Sequence, residues 1–170
     1  MTDESKVLSS EQIKHLMQNM EIEREMLDAA RRPLLIMLTD LKNSTIYYDR
    51  LGDVAAKSLI FKHNNILFPI IETAEGAVIK TTGDGILATF EDAAKGLKAA
   101  ARIQSELRDY NDGRDLETSI TVRIGLHYGK TIVFENDVYG DSINATARIE
   151  GLADGNEILI SQSVVEAVKP

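Results

Sequence analysis

At 170 residues and 44% hydrophobic content, the chain can bury one ordinary core and carry a short appendage. A net charge of −8 excludes a broad basic surface for nucleic acid or anionic membrane, but not a nucleotide substrate, because bound metal can supply positive charge locally. With no cysteine, disulfides, thiolate chemistry and cysteine-ligated zinc are excluded. Residues 1–6 are polar and lack the apolar core of a signal peptide, and apolar runs such as 33–38 and 66–71 are too short to span a bilayer. A cytoplasmic protein with no membrane segment is the expectation.

Ser9-Ser10-Glu11-Gln12 reads as a capping box opening a helix to about Arg31, which Pro33 is expected to end. Ile13, Leu16, Met20 and Leu27 give it an apolar stripe interrupted by Glu23. Such a stripe packs on its own domain or, alternatively, forms a short parallel coiled coil. The organisation that follows is a polar tail and lead-in helix over 1–32 and a main domain over 33–170. Residues 34–40 predict a buried strand. A helix is expected from Thr45 to about Thr73, with Ala55, Leu59, Ile66 and Ile70 on one face, widened by Val54, Phe61 and Phe68. Pro69 should kink or divide it. Strands are expected over 77–82 and 86–90 around the turn Gly83-Asp84-Gly85. An amphipathic helix over 92–111 follows, with Ala93, Leu97, Ala100, Ala101 and Leu107 facing the core. Strands at 120–127 and 131–134, a helix over 139–152, a strand at 157–160 and a last helix capped by Ser161 complete the chain. The order βαββαβ predicts an α+β fold with a ferredoxin-like core and a mixed sheet flanked by helices.

Asp40 ends an apolar strand, and Asp84 sits in a hairpin turn. Each alone reads as an ordinary loop or turn residue. Neighbouring strands of a split βαβ sheet can bring them to one edge, where two carboxylates repel unless a cation lies between them. Magnesium suits such a pair, with phosphate oxygens completing its octahedron. Lys80 alone is an ordinary strand cation. Asn144 and Arg148, four residues apart, share one face of a helix, with Ile143 and Ala147 turned toward the core. His127 reads as structural, having no partner at metal-ligand spacing.

Taken together, Leu38-Thr39-Asp40-Leu41-Lys42-Asn43-Ser44-Thr45, Val78-Ile79-Lys80-Thr81-Thr82-Gly83-Asp84, the run 122–129 and Asp137-Val138-Tyr139-Gly140 through Asn144 to Arg148 resemble the class III nucleotidyl cyclases, and among them the adenylate cyclases. The resemblance covers about residues 34–165. It implies that Asp40, Asp84 and the carbonyl of Leu41 hold two Mg²⁺ (or Mn²⁺) ions per active site, with Ser44 and Thr45 near the phosphates. It implies that Lys80 and Asp137 read the base. A Lys donates to adenine N1 and an Asp accepts from its 6-amino group, whereas guanine presents the opposite pattern. Asn144 would position the ribose, Arg148 would stabilise charge at the α-phosphate, and Arg123 would contact phosphate.

The resemblance further implies an adenylate cyclase that converts ATP to 3′,5′-cyclic AMP and pyrophosphate in a homodimer with shared active sites. Alternatives are a guanylate cyclase, a diguanylate cyclase, whose Gly-Gly-acidic-acidic-Phe turn is missing here, and a non-catalytic dimerisation or nucleotide-sensing module. Two departures stand out. Asn43 occupies a position where the family usually has Gly. The family's final hairpin, with its triphosphate Lys, has no counterpart before Lys169-Pro170.

Overall fold

Ser9 and Gln12 close the start of helix α1 (Ser10–Ala29) reciprocally. The Gln12 amide donates to Ser9 Oγ at 3.2 Å, and the Ser9 amide donates to Gln12 Oε1 at 2.8 Å. The computed structural model describes residues 9–42, 44–115 and 118–169. It divides into two compact units, residues 1–31 and 32–170. No residue of α1 is buried. The helix stops at Ala29, before Pro33. That proline lies in strand β1 (Arg31–Leu41), near its exposed start, where a missing backbone donor costs little.

Helix α2 (Ser44–Thr73) is broken at Gly52, whose φ of 76° and ψ of 167° lie outside the helical range. Pro69 lies inside the second segment, so it does not divide the helix; the break falls at Gly52 instead. Glycine tolerates this backbone at little cost, so the chain bends there. Beyond Gly52, the buried stripe of α2 is Ala56, Leu59, His63, Leu67, Ile70 and Ile71. Ala55, Val54 and Phe61, expected on the core face, are exposed. The sequence pattern missed this rotation because His63, the central residue of the true stripe, reads as polar.

Strands β2 (Ala77–Thr81) and β3 (Ile86–Phe90) form the expected hairpin. Asp92 then caps helix α3 (Ala93–Asn111), accepting from the amides of Ala94 and Lys95. Ala101 faces solvent, and Ile103 and Gln104 are buried. The two strands expected over 120–134 are one long strand, β4 (Val122–Phe134). A short strand β5 (Asp137–Tyr139) precedes helix α4 (Asp141–Leu152), so that helix begins two residues later than expected. Strand β6 (Ile158–Ile160) and helix α5 (Gln162–Ala167) follow. Ser161 stands at the N-cap of α5 without capping it, because its hydroxyl is hydrogen-bonded to His127 Nδ1 at 3.0 Å.

The sheet runs β2-β3-β1-β4-β5, with β6 parallel to β4 and the pairs β1–β3, β2–β3 and β4–β5 antiparallel. This is the α+β, ferredoxin-like βαββαβ plan with a mixed sheet. Alternate residues of each strand point to opposite faces. Leu35, Met37, Ile86, Ala88 and Phe90 join residues of α2, α3 and β4 in the main core. Ile36, Leu87 and Val138 form a small second cluster on the other face, against which Ile79, Val133 and Ile143 pack. The β4–β5 hairpin curls so that β5 approaches β2, although three strands separate them in hydrogen-bonding order.

Candidate functional site

The register of β1 against β3 ends with Thr39 opposite Ile86, and the Ile86 amide donates to Thr39 Oγ1 at 3.0 Å. Asp40 is the next residue of β1, and Asp84 sits in the turn two residues before Ile86; both act electrostatically on His63 and Glu150. The turn is held by the Thr82 amide donating to the carbonyl of Gly85 at 2.9 Å. A side chain at Gly85 would meet the Thr39 carbonyl oxygen at 2.1 Å, so the turn approaches β1 only with glycine there. The two carboxylates expected at one sheet edge are thus at that edge.

Asp40 is half-buried, and its Oδ2 accepts from Arg123 Nε at 2.9 Å and lies 2.6 Å from Arg123 Nη2. Arg123, on β4, also has its Nε 2.5 Å from Glu150 Oε1 of α4. Among the described residues, half-buried Asp84 has no hydrogen bond or ion pair. Burial pushes the Glu150 carboxyl above its usual range, Arg123 opposes the shift, and Asp40 and Asp84 add to it. Glu150 escaped the sequence reading because a helical Glu two residues after Arg148 carries no signal of its own.

Gly125 explains how α4 comes this close. A Cβ there would meet the Glu150 backbone nitrogen at 2.5 Å and its Cα at 2.7 Å, so α4 lies directly on β4 at this point. The buried face of α4 is Ser142 and Thr146; Ala147, expected inward, is exposed, and Ile143 is half-buried against the second cluster. Asn144 and Arg148 are exposed, and Arg148 has no ion-pair partner among the described residues.

Lys80 Nζ donates to Asp137 Oδ2 at 2.6 Å, joining β2 to β5 across the open face. The hydrogen bond from Lys80, followed by that from the Val138 amide, holds the Asp137 carboxyl below its usual range. A bulge between Val78 and Lys80 sets this geometry. Strict alternation would turn Lys80 to the same face as Val78, which packs on the main core. The bulge instead pairs Lys80 with Leu87, a member of the open-face cluster.

Fully buried His63 lies in the field of both Asp84 and Asp40. It is hydrogen-bonded through Nδ1 to Asn64 Oδ1 at 2.9 Å, and its Nε2 has no partner. With Nδ1 as donor, Nε2 is a bare acceptor on a neutral ring. Burial holds its pKa below the ordinary histidine value, against smaller upward pulls from Asn64, Asp84 and Asp40. His127 is a structural residue in a hydroxyl network with Ser161 and Ser163, as expected. Ser44 opens α2 beside this edge, while Asn43 and the Thr45 side chain lie outside the described residues.

The family model of the adenylate and guanylate cyclase catalytic domain matches residues 8–170. The chain belongs to that family. An adenylate cyclase of Anabaena cylindrica is 30% identical over 155 residues, covering 81% of this chain and 31% of the relative. The chain spans less than a third of the length of the curated relatives it matches. Among solved structures, an adenylate/guanylate cyclase/hydrolase from Silicibacter pomeroyi is 28% identical with a TM-score of 0.70, covering 81% of this chain and 80% of that one. The guanylyl cyclase Cya2 is 27% identical with a TM-score of 0.68, covering 82% and 80%. The cyclase domain is therefore similar to proteins named for either purine nucleotide. No described helix is long and apolar enough to cross a membrane.

Proposed function

We propose that this cyclase domain uses ATP, forming 3′,5′-cyclic AMP and pyrophosphate. The observation that carries the choice of base is the 2.6 Å pair of Lys80 and Asp137 on the open sheet face. With Lys80 facing ring N1 and Asp137 facing the 6-position, the pair matches adenine N1 and its 6-amino group and mismatches guanine at both positions.

The remaining roles are those that the family resemblance suggests. Asp40 and Asp84, with the carbonyl of Leu41, would hold two magnesium or manganese ions; an all-oxygen ligand set, with Asp84 unpaired among the described residues, fits hard cations. When bound, such ions lower the pKa of the ribose 3′-hydroxyl and offset phosphate charge. Ser44 and Thr45, at the start of α2, sit where backbone amides favour phosphate. Arg123 projects from β4 beside Asp40, within reach of the same phosphates. Asn144 orients the ribose. Arg148, exposed and unpaired among the described residues, meets the charge that develops at the α-phosphate as the 3′-oxygen attacks in line and pyrophosphate leaves.

Lys80, Asp137, Asn144 and Arg148 belong to the side that α2 and α3 leave open, which suits a head-to-tail homodimer with shared sites. Purified protein given equal ATP and GTP with Mg²⁺ or Mn²⁺ should form cyclic AMP in excess. Preferential cyclic GMP would overturn the adenine assignment, and no cyclic product would favour a nucleotide-sensing module. Mixing inactive Asp40→Ala and Arg148→Ala proteins should restore activity if sites are shared.

A further inference from the structure

One hydrogen and two carboxylates meet at Arg123 Nε. The nitrogen carries a single N–H, which is donated to Asp40 Oδ2 at 2.9 Å. Glu150 Oε1 lies only 2.5 Å from the same nitrogen, yet it is buried and accepts no hydrogen bond. Arg123 Nη2 reinforces the hold on Asp40 at 2.6 Å, and Nη1 reaches the carbonyl of Gly151 at 3.4 Å. Glu150 is thus an acceptor in place without its donor, and Asp40 has taken that donor. Gly125 fixes the spacing, because α4 rests on β4 at Glu150 itself.

We propose that Arg123 toggles between these two carboxylates, and that Glu150 is the positioning residue that draws it off Asp40 when a divalent cation binds there. The inference rests on the assignment of Asp40 as a metal ligand. Without metal, the guanidinium neutralises Asp40, which sits near Asp84 at one sheet edge. A cation on Asp40 repels the guanidinium and removes its partner. Glu150 then accepts the released N–H and loses its own unsatisfied state. Arg123 is kept at the rim of the site, with its remaining donors available to phosphate oxygens. Glu150 therefore favours the metal-bound state through Arg123, without itself touching metal or nucleotide.

The test is Mn²⁺ binding, measured by electron paramagnetic resonance without nucleotide, on the full chain and on Asp40→Asn, Glu150→Gln, Arg123→Met and the double variant Glu150→Gln/Arg123→Met. Glu150→Gln should weaken Mn²⁺ binding roughly tenfold, and most of that loss should vanish when Arg123 is already Met. Glu150→Asp should recover part of the affinity. An equal loss in both backgrounds would mean that Glu150 acts only as a nearby charge, and the toggle would be wrong. Unchanged binding in Asp40→Asn would instead overturn the metal assignment and the toggle with it. Arg123→Met leaves two carboxylates unpaired, so a second measurement needs no substitution. A Mn²⁺-loaded structure should show the Arg123–Asp40 contact open and the Arg123–Glu150 contact kept. Both contacts intact with Mn²⁺ on Asp40 would refute the proposal.

Discussion

On one face of the sheet, Leu35, Met37, Ile86, Ala88 and Phe90 are sealed with residues of α2 and α3 in a continuous apolar core. On the other face, three buried residues, Ile36, Leu87 and Val138, form the whole centre of the second cluster. The same strands supply both faces, one residue out of phase. The difference teaches where this domain places stability and where it places chemistry. The packed face removes large side chains from water. The open face buries little, so it can carry Lys80 and Asp137 paired in the open. Asp40, Arg123, Glu150 and Asp84 lie at the boundary between these regimes, half-buried, where charges are strengthened without being sealed away.

The comparison breaks most visibly if the packed face is hollowed. Phe90→Ala, at a site 2% exposed, should cost about 3–5 kcal/mol, read from urea denaturation. A cost comparable to a surface substitution would show that the packed face does not carry the stability. A smaller effect is expected at the seam. Gly125→Ala would drive a methyl group into the Glu150 backbone of α4. It should cost about 1–3 kcal/mol, and it should lower cyclase activity by more than the loss of folded protein, because α4 carries Asn144 and Arg148. Activity per folded molecule equal to wild type would separate the site from that close approach.

His63 sharpens the comparison through pH. Its folded pKa lies below the ordinary value of 6.5 because the ring is buried. The unfolded chain therefore binds a proton more readily than the folded one as pH falls through that range. Stability from a neutral His63 is present above the unfolded pKa and is lost on acidification. Unfolding free energy should fall between pH 7 and pH 5, and His63→Gln should flatten that slope. Half-buried His127, also shifted down by burial, leaves a weaker slope of the same sign. An unchanged slope would place the pH sensitivity elsewhere. The smallest stability effect belongs to the open face. Lys80→Ala should leave the melting temperature nearly unchanged, since exposed ion pairs contribute little. The same substitution should cut the proposed preference for ATP over GTP tenfold or more. A large drop in melting temperature would mean that the pair fastens β5 to β2 rather than serving the substrate.

Much of this was legible in the chain itself. Capping at Ser9, the Gly83-Asp84-Gly85 turn, the order βαββαβ and the helical spacing of Asn144 and Arg148 are local, and short-range sterics and hydrogen bonding write them directly into the sequence. The candidate carboxylates Asp40 and Asp84 could be named because both stand at strand ends that a split βαβ sheet brings to one edge.

Other features were decided by packing between distant segments. The non-helical break of α2 fell at Gly52, while Pro69 stays inside the helix, because glycine adopts a positive φ at little cost wherever the tertiary path turns. The inward stripe of α2 runs through His63, which no apolar pattern would select. The bulge at Val78/Lys80 moved Lys80 to the open face, against the alternation its own strand implies. Glu150 became part of the site only because Gly125 lets α4 rest on β4, and Arg123 found Asp40 from 83 residues away. A sequence states which charges exist. Which carboxylate a single guanidinium hydrogen serves depends on distances of a few tenths of an ångström between elements, and only the assembled sheet and helix fix those.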